Sequence, residues 1–304
     1  MPSNVKLAYA TINGQRYNAT FDNESQEWVV EGNGPSDSSW SQPGHKYAIT
    51  LYAEDNAGND ATLTSDDETY GDELLLRVLE TTKPVATIVS PTQGSILGSD
   101  TQNISLELQD FGGSGLNMES VVFKVNSVQI PNSSLSWEDS GDKKVCTYQA
   151  TDLSDGSNTI TLKVNDNDGN ESDTASVTFI ISTAAPLLNV ESPTDNLVTN
   201  SNKVRIKGTA TPGSEAVSIV SVTVNEQDID PDDDGVFDYE YTLPSEGNNQ
   251  LNIVATDSIG KTSTVVRNVL LDTKAPIFSD VHLDSKTINA NGHFRLTFKI
   301  TDPE

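Results

Sequence analysis

The sequence predicts an all-β protein built from several small β-sandwiches in tandem. Apolar and polar residues alternate with a period of two in many short segments, and clusters of Gly, Asn, Asp and Ser separate these segments. No segment shows the helical period of 3.6 residues over a length that would indicate a helix. The 304 residues are enough for two or three domains. The 35% hydrophobic content suits several thin two-sheet interiors better than one large core.

A repeated Asp-x-x-Gly turn follows three of these alternating segments. The copies are YAEDNAGN at Tyr52–Asn59, KVNDNDGN at Lys163–Asn170 and VATDSIGK at Val254–Lys261. Because Asp166 shares the parity of the apolar residues before it, its carboxylate lies beneath the turn and can accept the backbone N–H groups that follow. Gly169 then takes the positive φ that closes the hairpin. The pattern predicts the same bracing role for Asp55 with Gly58 and for Asp257 with Gly260.

A proline marks each predicted junction between domains. The junctions read TTKPVATIVSPTQG, TAAPLLNVESPTDN and DTKAPIFSDVHLDS, and they contain Pro84, Pro186 and Pro276. Proline fixes φ and donates no ladder hydrogen bond, so it suits the start of an edge strand and limits bending at a joint. We therefore predict domains at residues 1–82, 83–183 and 184–274, with a partial fourth module at 275–304.

The second of these segments contains seven strand candidates within about 100 residues, which is typical of an immunoglobulin-like β-sandwich. They are Val85–Val89, Ile104–Gln109, Ser120–Asn126, Ser134–Trp137, Val145–Ala150, Thr159–Asn165 and Ser176–Ser182. The predicted fold is thus a set of tandem immunoglobulin-like sandwiches arranged end to end as an elongated array.

The third segment contains a set of short motifs that recur together in one family: Thr209 after a glycine, Val224-Asn225, Gly235-x-Phe237, Glu246-Gly247-x-Asn249, Ala255-Thr256-Asp257 and Asp272-Thr273-x-Ala275-Pro276. On these motifs the segment resembles bacterial Ig-like modules of the glucodextranase domain-B-like type. The second segment resembles a related type with the turn Ser114–Leu116, and the first resembles modules that precede such arrays, on Ile12-Asn13-Gly14, Trp28 and SQPGHKYAITLYAEDNAGN. This resemblance implies an extracellular, cell-surface or virion-borne array, as in adhesins and phage-tail-associated proteins of gut bacteria. It does not imply catalysis.

Charge and cysteine content exclude several classes of partner and site. Forty-five acidic residues against eighteen basic ones give a net charge of −27, which repels nucleic acid and anionic membranes. Cys146 is the single cysteine, so no intrachain disulfide forms and no CxxC-type zinc site exists. No run reaches the roughly 18 apolar residues of a membrane span, so we expect no membrane insertion.

From the two ends of the sequence we expect this chain to be part of a larger protein. MPSNVKLAYA has no basic region followed by an apolar one, so no signal peptide is present, and we expect export within a larger protein or excision from one. RLTFKITDPE stops where a strand has just ended. The residues from Pro276 onwards are expected to form the first two strands of a fourth module. Such an unfinished sheet should pack on the third module or pair with another chain.

Catalytic motifs are missing from the sequence. The three histidines, His45, His282 and His293, have no Cys, Asp or Glu at ligand spacing, and none lies in an HExxH motif or a nucleophile elbow. No glycine-rich phosphate loop opens a helix. A thin sandwich also offers few pockets that raise a carboxyl pKa for glycoside hydrolysis. We expect the chain not to be an enzyme.

One acidic segment, Asp228–Glu240, matches the front half of a calcium loop. Asp230, Asp232, Asp234 and Gly235 fit D-x-D-x-D-G, and Asp238 occupies the ninth position. The twelfth position is Tyr241 instead of a bidentate glutamate, and no flanking helices are predicted. The alternative is an Asp-rich hairpin tip closed by Asp-Gly between two strands. No cofactor is required under either interpretation, and Ca²⁺ is the metal that the first one implies.

A second acidic segment, NDNDGNESD at Asn165–Asp173, resembles the Asp/Asn runs through which cadherin-type modules bind calcium. It lies in a hairpin and is not adjacent to a junction proline. We therefore predict a solvated turn.

Two functions remain. The first is mechanical: a semi-rigid stalk with an adhesion role, whose partners are the neighbouring modules of a larger surface protein. The second is recognition of a glycan or host surface protein, by an adhesin, a phage tail protein or an accessory region of a surface enzyme. Sugar binding uses flat exposed rings, and the candidates are Trp40, Tyr70, Phe237, Tyr239 and Tyr241.

Overall fold

A computed structural model describes residues 4–229 and 231–303. The chain divides into two compact units: one contains the residues up to Ser95 together with Thr101–Phe179, and the other contains Ile96–Asp100 together with the residues from Ile180 onwards. The described residues contain no α-helix, only 3-10 turns at Ser39–Ser41, Pro43–His45, Gly71–Leu74 and Asn132–Ser134. No helix among them is long and apolar enough to cross a membrane.

The first module, residues 4–80, has one sheet and a separate hairpin. Its strands are β1 (Val5–Ile12), β2 (Gln15–Asn18), β3 (Thr20–Asp22), β4 (Glu27–Val29), β5 (Tyr47–Asp55), β6 (Asp60–Leu63) and β7 (Leu75–Leu76). The sheet has the order β2-β1-β5-β6, with β7 also paired to β5, while β3 and β4 pair only with each other. Its buried apolar residues are few: Ala10, Tyr17, Tyr47 and Leu74.

The second module, residues 85–181, is a two-sheet sandwich. Its strands are β8 (Val85–Ser90), β9 (Ile96–Leu97), β10 (Gln102–Gln109), β11 (Leu116–Val125), β12 (Val128–Ile130), β13 (Trp137–Ser140), β14 (Lys143–Ala150), β15 (Gly156–Asp166) and β16 (Ala175–Ile181). One sheet has the order β13-β14-β10-β8 and the other β12-β11-β15-β16-β9. Alternate residues of the central strands are buried, as the period of two predicts.

The strand prediction for this module is accurate except for three strands. The predicted strand at Ser134–Trp137 is wrong, because a 3-10 turn occupies Asn132–Ser134 and the strand begins at Trp137. The two shortest strands, β9 and β12, were not predicted, since two or three residues are too few to show a period of two. Both lie at the edges of their sheet.

The third module, residues 187–271, is a second sandwich of the same design. Its strands are β17 (Leu187–Ser192), β18 (Leu197–Thr199), β19 (Lys203–Thr211), β20 (Ile219–Val224), β21 (Gln227–Asp228), β22 (Val236–Thr242), β23 (Gly247–Asp257) and β24 (Thr262–Leu271). The sheets have the orders β17-β19-β22 and β18-β24-β23-β20-β21. They enclose an apolar core centred on Ile206, Val224, Phe237, Leu251 and Ile253.

Residues 277–301 form the C-terminal hairpin, made of β25 (Ile277–Leu283) and β26 (Leu296–Thr301). These two strands pair only with each other, and every residue in them is exposed. The apolar side chains of this hairpin, among them Phe278, Phe298 and Ile300, are therefore exposed in the part of the chain that the structure describes.

Candidate functional site

Each predicted Asp-x-x-Gly turn is closed by its own aspartate, which confirms the bracing role. Asp166 ends β15, and its Oδ1 accepts the backbone N–H groups of Asp168 and Asn170 at 2.9 and 2.8 Å. Gly169 has a φ of +97°, a conformation that favours glycine. The same pair of bonds closes the turns that begin at Asp55 and Asp257.

The predicted calcium segment contains a fourth copy of this turn. The Oδ1 of Asp232 accepts the N–H groups of Asp234 and Val236 at 3.1 and 2.8 Å, and Gly235 has a φ of +77°. The segment connects β21 to β22, which belong to different sheets. The predicted hairpin tip is therefore wrong, because the Asp-rich segment is a crossover between the two layers. From sequence, a hairpin tip and a crossover differ only in which residues of the flanking strands face the core. The strand β21 is too short to show such an alternation.

The four predicted metal ligands are not gathered at one point by the described residues. Asp232 and Asp234 share the turn, whereas Asp238 lies on β22 and forms an ion pair with Arg205 of β19, with Nη2 and Oδ2 2.6 Å apart. Asp230 lies outside the described residues. Calcium binding at this segment stays a prediction.

A different set of carboxylates does converge, and the sequence analysis did not predict it. Glu80, Asp110 and Asp166 each place a carboxylate oxygen within 4.8 Å of the others. Glu80 lies in the linker before Pro84, Asp110 follows β10, and Asp166 ends β15. The linker therefore meets the second module at an acidic cluster, which is called the junction cluster below.

Backbone N–H groups hold two of these carboxylates in place. Asp110 accepts hydrogen bonds from Gly112, Gly113 and Gly115, at 3.2, 3.0 and 2.8 Å. Glu80 accepts the N–H of Thr82 through Oε2. A Cβ on Gly112 would lie 2.1 Å from the Glu80 carboxyl, so a side chain at this position would displace that carboxyl from the junction cluster.

Side chains of the Asp166 turn complete the contact with the linker. The Nδ2 of Asn170 lies 2.7 Å from Oδ2 of Asp166, 3.0 Å from the Glu80 carbonyl oxygen and 3.2 Å from Glu80 Oε1. Ser114 donates its hydroxyl to the same Oε1 at 3.2 Å. One amide thus joins the turn to both the backbone and the side chain of the linker.

Asp168, two residues into the same turn, binds the first module. Its side chain is only 1% exposed, and Oδ2 accepts the Ser38 hydroxyl at 2.5 Å and the Glu80 N–H at 3.1 Å. Arg77 lies 3.8 Å away and supplies positive charge. The predicted solvated turn at Asn165–Asp173 is therefore wrong for Asp166 and Asp168, which the segment before Pro84 buries, whereas Glu171 and Asp173 are exposed.

Within the junction cluster, the pKa values of Glu80 and Asp166 are shifted in opposite directions. Burial, and then the hydrogen bond to Asp166, raises the pKa of Glu80 above its ordinary value. Burial alone would raise the pKa of Asp166 too, but hydrogen bonds from Glu80 and Asn170 outweigh it and hold that pKa below its ordinary value. Of the two facing carboxyls, Glu80 is therefore the one that takes up a proton first as the pH falls.

The three side chains of the junction cluster offer only carboxylate oxygen atoms as ligands. A hard cation such as Ca²⁺ prefers such a set. All three carboxylates already accept hydrogen bonds from N–H or O–H groups. Sequence reasoning missed Glu80 and Asp110 because each is remote from Asp166 along the chain; the signal was a glutamate just before a junction proline and an Asp-x-Gly-Gly after a strand.

The predicted aromatic binding residues are mostly used for packing. Phe237 is buried in the third module, and Tyr239 and Tyr241 pack against the same core. Trp40 stacks on His45 with ring centroids 3.9 Å apart. Tyr70 differs from these four, because its ring is 58% exposed.

One family model matches the chain. Residues 186–273, which span the third module, match the family described as glucodextranase, domain B. This agrees with the resemblance that the sequence shows. No match is found among the curated proteins.

Similar solved structures are multidomain β-sandwich proteins. The fibronectin(III)-like modules of CbhA from Clostridium thermocellum are 18% identical over 62% of this chain and 94% of theirs, with a TM-score of 0.38. The ICAM-5 D1–D4 ectodomain fragment is 16% identical over 89% of this chain and 68% of its own, with a TM-score of 0.40. The protocadherin gammaB7 EC3-6 structure is 16% identical over 96% and 74%, with a TM-score of 0.33. The immunoglobulin-like fold itself rests on the strand order described above.

Proposed function

We propose that the chain is a non-catalytic run of immunoglobulin-like sandwiches that serves as a stalk and adhesion module of an extracellular, cell-surface or virion protein. The observation that supports this most directly is the place where buried polar groups converge. Asp166 and Asp168 contact the linker that carries Glu80, and Asp168 also binds Ser38 of the first module, whereas catalytic carboxyls face a cleft that admits substrate.

A spacer between two ends of a protein requires linkers that are held in one conformation. Asp168 joins Ser38 of the first module to the Glu80 backbone, and Lys83 pairs with Asp173 at 2.8 Å on the surface. A linker held at its backbone and at its side chain has few ways to bend, so a load on one module is passed to the next. Net charge of −27 keeps such chains apart at high surface density.

The test measures the flexibility of this junction. Dyes placed on the first and second modules should give a narrow distribution of transfer efficiencies in the wild type and a broad one in Asp168→Ala, which removes the buried contact. Asp173→Ala is the control, because it removes a surface ion pair from the same turn. A wild type as broad as Asp168→Ala would overturn the proposal.

Recognition of a glycan is the second candidate, and the exposed ring of Tyr70 is the observation that favours it. The matching family is also named after a domain of a glucodextranase. Binding of the full chain to a glycan array, lost in Tyr70→Ala and kept in Tyr239→Phe, would support this function. Equal binding by wild type and Tyr70→Ala would remove it.

A further inference from the structure

The two outward faces of the third module differ in charge. On the sheet β17-β19-β22, the outward side chains of β19 include Lys203, Arg205 and Lys207, and each forms an ion pair with a carboxylate of a neighbouring strand. The outward side chains of the other sheet are uncharged along four strands, β18, β24, β23 and β20, and this surface is called the neutral face below. Its members are Val198, Ser221, Thr223, Asn248, Gln250, Asn252, Val254, Thr256, Thr262, Thr264, Val266, Asn268 and Leu270.

The strand register places these side chains on one surface. Thr264 of β24 pairs with Val254 of β23, and Val254 pairs in turn with Thr223 of β20. Two residues further along β24, Val266 pairs with Asn252. The residues of β23 between these positions are buried, so the neutral face is the outer surface of this sheet.

The fold itself does not require this surface to be uncharged. The corresponding sheet of the second module carries Lys124 on β11 and Lys163 on β15, at positions that pair with Thr161 and Val122. Lys163 also forms an ion pair with Glu171 at 2.8 Å. In a chain with a net charge of −27, the neutral face is therefore a specific feature of the third module.

Charged groups lie at the rim of the neutral face, and apolar groups are exposed within it. Asp195, in the turn before β18, accepts a backbone N–H of β24 at 2.9 Å, and Asp228 ends β21 at the edge of the sheet. Val198, Val266 and Leu270 are 63%, 41% and 41% exposed. An uncharged centre with a polar rim is the composition of a protein–protein interface.

Each kind of side chain on the neutral face can bind its own kind. A carboxamide such as that of Asn252 both donates and accepts hydrogen bonds, a threonine hydroxyl does the same, and branched apolar side chains pack on one another. Surfaces of a single charge lack this property, because like charges repel. A two-fold axis brings the same patch of both copies together, so such a contact requires a self-complementary surface.

We propose that the neutral face of the third module is a contact between two copies of this chain, which pack sheet on sheet about a two-fold axis. The net charge of −27 makes copies repel one another, and on the neutral face they meet without bringing ionised groups together. The contact rests on the proposed adhesion role and deepens it by naming a second copy of the chain as the partner.

The size of the neutral face sets the strength of the contact. The strand β23 is about 35 Å long, and four strands span about 19 Å, but β18 and β20 are shorter, so the face covers on the order of 500 Å². Two such faces together bury on the order of 1,000 Å², which is at the lower limit for a specific interface. We therefore expect a weak dimer that forms where copies are concentrated.

Sedimentation equilibrium of the full chain over a wide range of concentrations tests the proposal. The wild type should pass reversibly from monomer to dimer and no further, because a two-fold contact closes on itself. Added salt should strengthen the dimer, since salt screens the repulsion between acidic chains while the neutral face carries no ionised group.

Two matched substitutions locate the contact. Thr264→Lys places an ammonium group on the neutral face, and Thr242→Lys places one on the opposite face of the same module; both threonines are exposed. Each lysine reduces the net negative charge, so overall repulsion alone would strengthen the dimer in both variants. We expect Thr242→Lys to dimerise at least as well as the wild type. Thr264→Lys should dimerise about tenfold more weakly or less, because its ammonium group loses water at the contact without gaining a partner.

Asn252→Lys places a second charge on the neutral face and should behave as Thr264→Lys does, and circular dichroism should show the variants folded. A wild type that stays monomeric at every concentration and salt overturns the proposal, and so does a Thr264→Lys variant that dimerises as the wild type does. A neutral glycan is the other occupant that amides and hydroxyls suit. Glycan binding that Thr264→Lys removes, by a chain that stays monomeric, would also overturn the dimer.

Failure of the dimer is distinguishable from failure of the stalk function. Transfer efficiencies across the first linker are measured on dilute molecules, which are monomeric in either case. A rigid linker in a chain that never dimerises would therefore remove this contact alone.

Discussion

The linkers before the second and third modules are tied down by the same position of the same turn, but with different chemistry. In both, the residue after the turn glycine donates to a linker carbonyl: Asn170 to Glu80 at 3.0 Å, and Lys261 to Thr183 at 2.6 Å. The first linker adds buried carboxylates. The second adds hydroxyl groups, with Oγ atoms of Ser182 and Ser214 2.8 Å apart.

The two turns also differ at the aspartates that close them, Asp166 and Asp257. Asn170 also donates to Oδ2 of Asp166, whereas Oδ2 of Asp257 is buried and has no hydrogen-bond partner among the described residues. Lys261 is directed at the linker instead. A single side chain after the glycine thus decides whether the turn and the linker form one network or two separate contacts.

The largest effect should come from Asp166→Ala, which removes the turn brace and a member of the junction cluster together. We expect a loss of about 2–3 kcal/mol in the free energy of unfolding, because buried N–H groups lose their acceptor. Urea denaturation followed by fluorescence measures it. Asp55→Ala, which removes a more exposed brace, should cost about half as much; equal losses would mean that the junction contributes nothing.

Asn170→Ala should come next, since it makes the first linker resemble the second. It removes three hydrogen bonds and leaves Asp166 Oδ2 without the Asn170 amide, so we expect a loss of about 1–2 kcal/mol. Lys261→Ala removes one bond from a partly exposed amine and should cost less than about 1 kcal/mol. The comparison fails if the two substitutions have the same effect in urea.

The opposite pKa shifts of Glu80 and Asp166 predict a pH dependence for the stability of the first linker. Because the folded pKa of Glu80 is raised, its contribution to stability is present below the ordinary glutamate pKa of about 4.3 and is lost as pH rises through the folded value. The folded pKa of Asp166 is lowered, so its contribution is present above the ordinary value of about 3.9 and is lost as pH falls through the folded value.

Glu80→Gln separates these two contributions, since the amide keeps an N–H where the carboxyl proton lies. We expect the variant to gain on the order of 1 kcal/mol over the wild type at neutral pH and to lose that advantage in mild acid. Melting temperatures across this pH range measure the gain. A variant that is less stable than the wild type by the same amount at every pH would show that ionisation of Glu80 does not affect the stability of the linker.

The smallest effect is expected from calcium. The Asp232 carboxylate already closes its turn and Asp238 pairs with Arg205, so Ca²⁺ should raise the melting temperature no more than Mg²⁺ does. A calcium-specific rise that disappears in Asp232→Asn would establish the predicted calcium loop. A rise that disappears in Glu80→Gln would place the ion in the junction cluster.

Sequence periodicity predicted the strands and the bracing aspartates, because both depend on neighbours within a few residues. Asp166 was assigned correctly as a brace from the parity of β15 alone. Its burial by the linker was not predicted, since Glu80 lies far away in the sequence and comes close only when β10, β15 and the linker are assembled. The acidic run at Asp232 was misassigned for the same reason: the sheet to which each flanking strand belongs is a long-range property.

The single thiol gives the molecule a further property. Cys146 is buried in the second module, and burial raises the pKa of its thiol above the ordinary value. In the folded chain it is therefore slow to react with alkylating reagents, and with no second cysteine the chain has no covalent crosslink of its own. Under tension, when a sandwich opens, that sulfur becomes accessible, so a maleimide dye added during stretching would record when the second module yields.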